Sequence, residues 1–164
     1  MAEEIALALF DRLVRSHQRV VLGVAYRLLG RMEDAQDAAQ EVFLRLFQKR
    51  SQIEGDPKPW LYRVTVNVCN DRHRKRALAA QPDENAADPS ADALTVLTSQ
   101  ERKRLLTEGL KTLGDRERAA IVLRDIEGHS TQEVAKLLGI EEVTVRSQIS
   151  VARVKLAKYV RKHS

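Results

Sequence analysis

The stretch "HSTQEVAKLLGIEEVTVRSQI", from His129 to Ile149, constrains the fold of this chain more than any other. Ser130-Thr131-Gln132-Glu133 has capping-box spacing, in which a serine hydroxyl and a glutamate carboxylate satisfy free backbone amides at a helix start. Gly139 can adopt the left-handed conformation that ends a helix tightly. Ala135 is small enough for two helices to cross closely, while Val134, Leu138, Ile140, Val145 and Ile149 supply a shared core at helical spacing. A short helix, a glycine turn and a longer helix make a helix-turn-helix. The pattern predicts helices over 131–138 and 142–161.

The rest of the chain is also patterned for helices. A 43% hydrophobic share with 4% aromatics and 31% charged residues favours an all-α fold over a sheet sandwich. From Ile5 onward, Leu9, Leu13, Val20, Val24 and Leu28 recur at helical spacing, widened by Phe10, Val14, Val21 and Ala25, and Gly30 is placed to end that helix. A second helix is expected from Met32 to Gln48, burying Ala35, Ala39, Val42 and Leu46, with Glu33 and Asp34 favourably placed against its N-terminal dipole. Pro57 and Pro59 prepare a third from Trp60 to Arg76, burying Leu61, Val64 and Val68. Further helices are expected over 95–112 and 115–126. Between the two groups, "ALAAQPDENAADPSADA" lacks large side chains apart from Leu78 and reads as a flexible linker. The expected organisation is a domain over 1–76, a linker over 77–94 and a second domain over 95–164.

Charge follows the same division. Residues 1–76 carry 14 basic and 10 acidic side chains, 77–94 carry 0 and 4, and 95–164 carry 14 and 9, giving +4, −4 and +5. Two basic blocks flanking an acidic one suit a polyanionic partner, because clustered cations attract phosphates and release their counterions.

Three helix faces carry candidate chemistry. On the last helix, Val145, Ile149, Ala152 and Leu156 point inward, and from Thr144 to the end there are six Lys or Arg and no acid. Thr144, Arg146, Ser147 and Ser150 are candidate readers of duplex DNA, since Arg forks to guanine and Ser or Thr bond base edges or phosphate; Arg153 and Lys155 flank them as further candidates. The alternative is a solvated basic face. On the third helix, Arg63, Asn67, Asn70 and Arg74 fall at steps of four, three and four and share one side, with Arg72 in the basic run behind them. Cations beside polar pocket residues suit an unstacked single strand, and Trp60 is either a stacking platform or a core residue. The bland account of these cations is complementation of the helix dipole. On the second helix, Leu44 sits among Asp34, Asp37, Gln40, Glu41 and Arg45: an apolar knob with a charged rim resembles a docking patch, although single exposed leucines are ordinary.

Other classes find little support. Cys69 is the only cysteine, so no internal disulfide is expected, and the four histidines show no metal-ligand spacing. There is no glycine-rich phosphate loop or nucleophile elbow, so neither an enzyme nor a cofactor is expected. No run approaches a membrane span and the N-terminus is acidic, which predicts a cytoplasmic chain.

Three segments taken together, "YRLLGRMEDAQDAAQEVFLRLFQ", "PWLYRVTVNVCNDRHRKR" and "LGDRERAAIVLRDIEGHSTQEVAKLLGIEEVTVRSQISVAR", closely resemble, in order and spacing, the bacterial sigma factors of the extracytoplasmic-function (ECF) type, group IV of the sigma-70 family. The resemblance implies two small helical domains, sigma2-like and sigma4-like. Asp34, Asp37, Gln40, Glu41, Leu44 and Arg45 would then dock on the β′ coiled coil of core RNA polymerase. Trp60, Arg63, Asn67, Asn70, Arg72 and Arg74 would hold the opened minus-10 strand. The C-terminal domain would grip the β flap and lay its last helix in the minus-35 groove, using Thr144, Arg146, Ser147, Ser150, Arg153 and Lys155. An anti-sigma protein is a further implied partner, with Val151 and Val154 available to such a contact. The family often has Arg where this chain has Gln148 and Val151, which implies a divergent promoter preference. A stand-alone helix-turn-helix regulator would instead be a dimer on a palindrome, whereas the sigma resemblance implies a monomeric free chain.

Overall fold

The computed structural model describes residues 1–79 and 98–164. All regular structure among them is helical: α1 (Ala2–Leu29), α2 (Met32–Lys49), α3 (Lys58–Ala79), α4 (Ser99–Lys111), α5 (Asp115–Ile121), α6 (Thr131–Leu138) and α7 (Glu142–His163). The described residues form two compact units, Met1–Cys69 and Asn70–Ser164, and the division falls inside α3. The expected linker started at residue 77, but α3 continues through Ala79; the remainder of 77–94 lies outside the described residues.

In the first unit α1 packs along α2. Gly30, at φ 78°, turns the chain out of α1, its N–H donating to Tyr26 O at 2.7 Å. The α2 stripe Ala35, Ala39, Val42 and Leu46 is buried as expected, joined by Ala38. On α1 the stripe is buried only from Val21 onward, with Val24, Ala25, Leu28 and Leu29; Ile5 and Leu9 are exposed and Leu13 and Val20 half-buried. The reason is length: at about 1.5 Å per residue, a helix of 28 residues outruns a partner of 18. Phe10 of α1 meets Phe47 of α2 edge to face, centroids 5.1 Å apart. Each core side chain as large as Val24 or Leu46 contributes about 1.5–3 kcal/mol by burial. The first half of α3 buries Leu61, Tyr62, Thr65, Val66, Val68 and Cys69, whereas Val64, expected inside, is only half-buried. The buried Thr65 hydroxyl is satisfied by Leu61 O at 2.6 Å.

In the second unit α7 is the common partner of α4, α5 and α6. Thr98 and Glu101 form a full capping box on α4, at 3.2 and 2.8 Å. Gly109 admits the α4–α7 crossing, since a Cβ there would lie 2.9 Å from Leu156 Cδ2 and 3.2 Å from Tyr159 Cδ1. The helix expected over 115–126 is not uniform, because after Ile121 it widens into a π-helical turn, Val122–Ile126. The helix-turn-helix forms where expected, with one half of the capping box in place: Ser130 Oγ accepts from Glu133 N–H at 3.1 Å, and Gly139 at φ 67° separates α6 from α7. The Glu133 carboxylate also meets His129 Nδ1 at 2.9 Å. Val134, Val145 and Ile149 are fully buried; Leu138 and Ile140 are half-buried, with Leu137 taking the interior place.

Candidate nucleic-acid and docking surfaces

The α3 side expected to meet an opened strand is accessible. Arg63, Asn67 and Arg74 are exposed, and Asn70, Arg72 and Trp60 are half-buried. Leu61, Val68 and Cys69 anchor the opposite side of the helix, which is why a run of steps of three and four leaves these groups facing out. Arg74 lies 3.9 Å from Asp71 of its own helix, a loose exposed pair that leaves its donors usable. Asn70 is half-buried, with its Oδ1 turned inward and without a hydrogen-bond partner.

On α2, Leu44 is 58% exposed. Asp37 and Gln40 beside it are exposed, Asp34 is half-buried, and Glu41 and Arg45 form an ion pair one turn apart at 2.9 Å. The knob also borders an apolar groove of about 840 Å³ between α1 and α2, floored by Phe10, Val14, Leu22, Phe43 and Phe47. Sequence reasoning found the knob but missed the groove, because α1 supplies half of it across a distance no single helix wheel shows.

On α7, Val145, Ile149 and Ala152 are buried, and Arg146, Ser147 and Ser150 are exposed with Thr144 half-buried. Arg146 makes only a 3.5 Å contact with Glu142 on its own helix. Arg153 and Lys155 differ from it. Arg153 donates from Nε and Nη2 to the two Asp125 oxygens at 2.9 and 2.7 Å, and Lys155 Nζ sits 2.9 Å from both oxygens of Glu117. Glu117 also accepts from Gly114 N–H at 2.9 Å, so one carboxylate caps α5 and holds α7.

The hydrogen bond from Lys155, then that from Gly114, hold the Glu117 carboxyl below its usual range; the Arg153 guanidinium does the same for Asp125. Groups with depressed folded pKa values contribute stability that is complete above the ordinary carboxylate range and is lost as pH falls through the lowered values. The thermal midpoint of the second unit should therefore hold steady at neutral pH and drop as the pH goes below about 4, a drop that E117Q/D125N should blunt in calorimetric scans.

Arg118 was not anticipated at all. It is 4% exposed, and its guanidinium donates to Leu110 O at 2.8 Å, to Leu113 O at 2.5 Å and to Asp115 Oδ1 at 3.2 Å. A buried cation thus closes the carbonyl end of α4, where the helix dipole favours positive charge.

Among the described residues no three His, Cys, Asp or Glu are placed to hold a metal ion, and no helix is long and apolar enough to cross a membrane. The described residues thus hold a helix-turn-helix with exposed polar and basic groups on α7, an accessible Arg/Asn side on α3 and an exposed leucine on α2, the class of fold found in helix-turn-helix DNA-binding proteins. Residues 13–78 match the family model for sigma-70 region 2, and residues 103–156 that for sigma-70 region 4. The chain is 37% identical to the ECF RNA polymerase sigma factor SigE of Mycolicibacterium smegmatis over 99% of its own length and 65% of that relative. It is 34% identical to the ECF sigma factor SigM of Mycobacterium tuberculosis, over 91% of the chain and 76% of SigM. In fold it resembles the sigma factor RpoE of Bartonella quintana, solved with the anti-sigma factor NepR (TM-score 0.71, 22% identity, covering 93% of this chain and 96% of that one). It also resembles CnrH, solved with the cytosolic domain of CnrY (TM-score 0.68, 26% identity, covering 94% and 89%). The chain belongs to the ECF RNA polymerase sigma factors, alternative sigma factors of the sigma-70 family that direct transcription.

Proposed function

We propose that this chain binds core RNA polymerase in the cytoplasm and directs initiation at promoters it recognises through two separate helical surfaces. The observation that carries the reading is the accessibility of both at once: the Arg63, Asn67 and Arg74 side of α3 and the Arg146, Ser147 and Ser150 side of α7. Residues 1–76 serve polymerase docking and the minus-10 element, and residues 95–164 the minus-35 element and the β flap. Asp34, Asp37, Gln40, Glu41, Leu44 and Arg45 meet the β′ coiled coil. Trp60, Arg63, Asn67, Asn70, Arg72 and Arg74 hold the opened strand. Thr144, Arg146, Ser147 and Ser150 meet the minus-35 duplex. The relatives are initiation factors rather than enzymes, and no catalytic step is assigned to this chain. An anti-sigma protein is a further partner, a reading supported by the anti-sigma factor NepR bound in the structure of the RpoE relative.

Mixing the purified chain with core polymerase and mapping transcript starts on genomic DNA tests the function: starts should cluster at defined sites that core alone ignores. Random starts would refute it. On a promoter so found, Arg146→Ala should cost about 1–3 kcal/mol at one minus-35 position and relax its base preference. An equal loss on every promoter variant would make Arg146 a phosphate contact instead.

A further inference from the structure

Of the six cations that follow Thr144, Arg146, Arg153 and Lys155 are the candidate DNA contacts, yet α7 does not present them alike. With about 100° between successive residues, Val145, Ile149, Ala152 and Leu156 centre the buried face, while Ser147, Ser150 and Val154 point away from it. Arg153 and Lys155 lie on opposite flanks, roughly 70–90° to either side of the buried centre. Each turns back toward the body of its unit. Arg153 forks onto Asp125, 28 residues earlier, and Lys155 grips Glu117, 38 residues earlier. The fork uses two donors in parallel, the arrangement that fixes geometry as well as charge.

The ground beneath the Arg153 pair explains why a fixing device sits there. Leu106 and Leu110 of α4, Ile121 and Ile126, and Leu156 of α7 line a pocket of about 250 Å³, and Asp125 and Arg153 complete its wall. The pocket is open to solvent on one side, so at this level apolar packing covers only part of α7 and the Arg153–Asp125 pair spans the rest of the gap to the π-helical turn. The π-helical turn Val122–Ile126 carries Asp125 at the position that Arg153 meets. On the other flank, Glu117 is itself fixed by its bond from Gly114 N–H.

We propose that Arg153 and Lys155 are positioning residues, which clamp the reading helix between Asp125 and Glu117 and so aim Ser147, Ser150 and Arg146 at the minus-35 groove, instead of contacting phosphates. This rests on the promoter-reading function proposed above. Each cation is already neutralised by a carboxylate held close, so its transfer to phosphate would strand that acid beside the DNA. Minus-35 affinity then depends on acids that carry no attraction for DNA.

The sign of one substitution separates the two roles. If Arg153 were a phosphate contact held in reserve, Asp125→Asn would release it and tighten promoter binding. As a clamp, D125N loosens α7 and weakens binding, by about threefold to tenfold on the scale of a coupled ion pair. Binding is read with the reconstituted holoenzyme on a promoter recovered by start-site mapping, across a salt series. R153Q should weaken binding with the slope of log affinity against log salt unchanged, whereas loss of a phosphate contact lowers that slope by about 1. The exchange R153D/D125R should restore affinity toward wild type. Tighter binding by D125N, or a slope reduced by about 1 in R153Q, overturns the proposal.

A second arm needs no polymerase. In thermal unfolding of the full chain, D125N and E117Q should each lower the midpoint of the second unit, and R153D/D125R should recover the loss seen in either of its single variants. Unchanged midpoints overturn the clamp even if promoter function stands. A wild-type chain that starts transcription at no defined site while both midpoints fall would remove the sigma reading of this surface and leave the clamp supported as a device of the fold.

Discussion

Replacing Arg118 by alanine should destabilise the second unit by about 2–4 kcal/mol, a large effect for one polar side chain. Arg118 is 4% exposed, and its guanidinium supplies donors to Leu110 O in the last turn of α4, to Leu113 O just beyond it and to Asp115. Truncation leaves Leu113 O without its side-chain donor, at about 1–3 kcal/mol for a buried acceptor left unmet, and opens a cavity where the side chain stem had packed, while Leu110 O keeps its bond from Leu113 N–H at 3.2 Å. Lysine would restore one donor direction but not the fork, so Arg118→Lys should fall between wild type and alanine. Urea unfolding followed by circular dichroism is the direct measurement, with the first unit's transition as internal reference. An alanine variant whose second transition stays in place would show that water reaches those carbonyls without cost.

Leu44→Asp should leave the fold intact and weaken association with core polymerase by about 30-fold or more, that is, by at least about 2 kcal/mol. Leu44 is exposed, so its replacement disturbs no packing within the unit. In a docked complex the same side chain would be a desolvated anchor, and the aspartate would place a charge without a partner beside Phe43 and Phe47. Titration of labelled core polymerase with wild-type and variant chain, alongside a thermal scan of each, separates docking from folding. Equal affinity with equal stability would move the polymerase contact away from this part of α2. Asp37→Ala, at the rim of the same patch, should shift the association rate and its salt dependence more than the dissociation rate.

The helix-turn-helix was the most legible part of the chain because its determinants are local. A cap four residues long, a glycine that needs positive φ and a short apolar repeat lie within twenty residues, and Ser130 caps α6, Gly139 takes positive φ, and Val134 and Val145 are buried. The α2 stripe and the exposed Leu44 were legible for the same reason, as one helix wheel carries the whole argument. What escaped the sequence depended on partners far along the chain. Arg118 reads as one more surface cation until α4 is folded above it, since its acceptors lie across a turn. The ion pairs of Arg153 with Asp125 and of Lys155 with Glu117 were equally hidden, because the acids lie 28 and 38 residues earlier in the chain. On α1, periodicity continues through Ile5 and Leu9 although α2 is too short to cover them, and a pattern of apolar residues does not record the length of the neighbour.

Cys69 is the only cysteine, it lies midway along α3, and its side chain has no accessible surface. The chain therefore carries a native reporter of its own breathing. A thiol reagent in solution can reach that sulfur only through an opening of α3, so the pace of labelling in the intact chain follows how often this helix parts from the rest of its unit. Any partner that braces α3 against such excursions would slow the reaction without touching the sulfur.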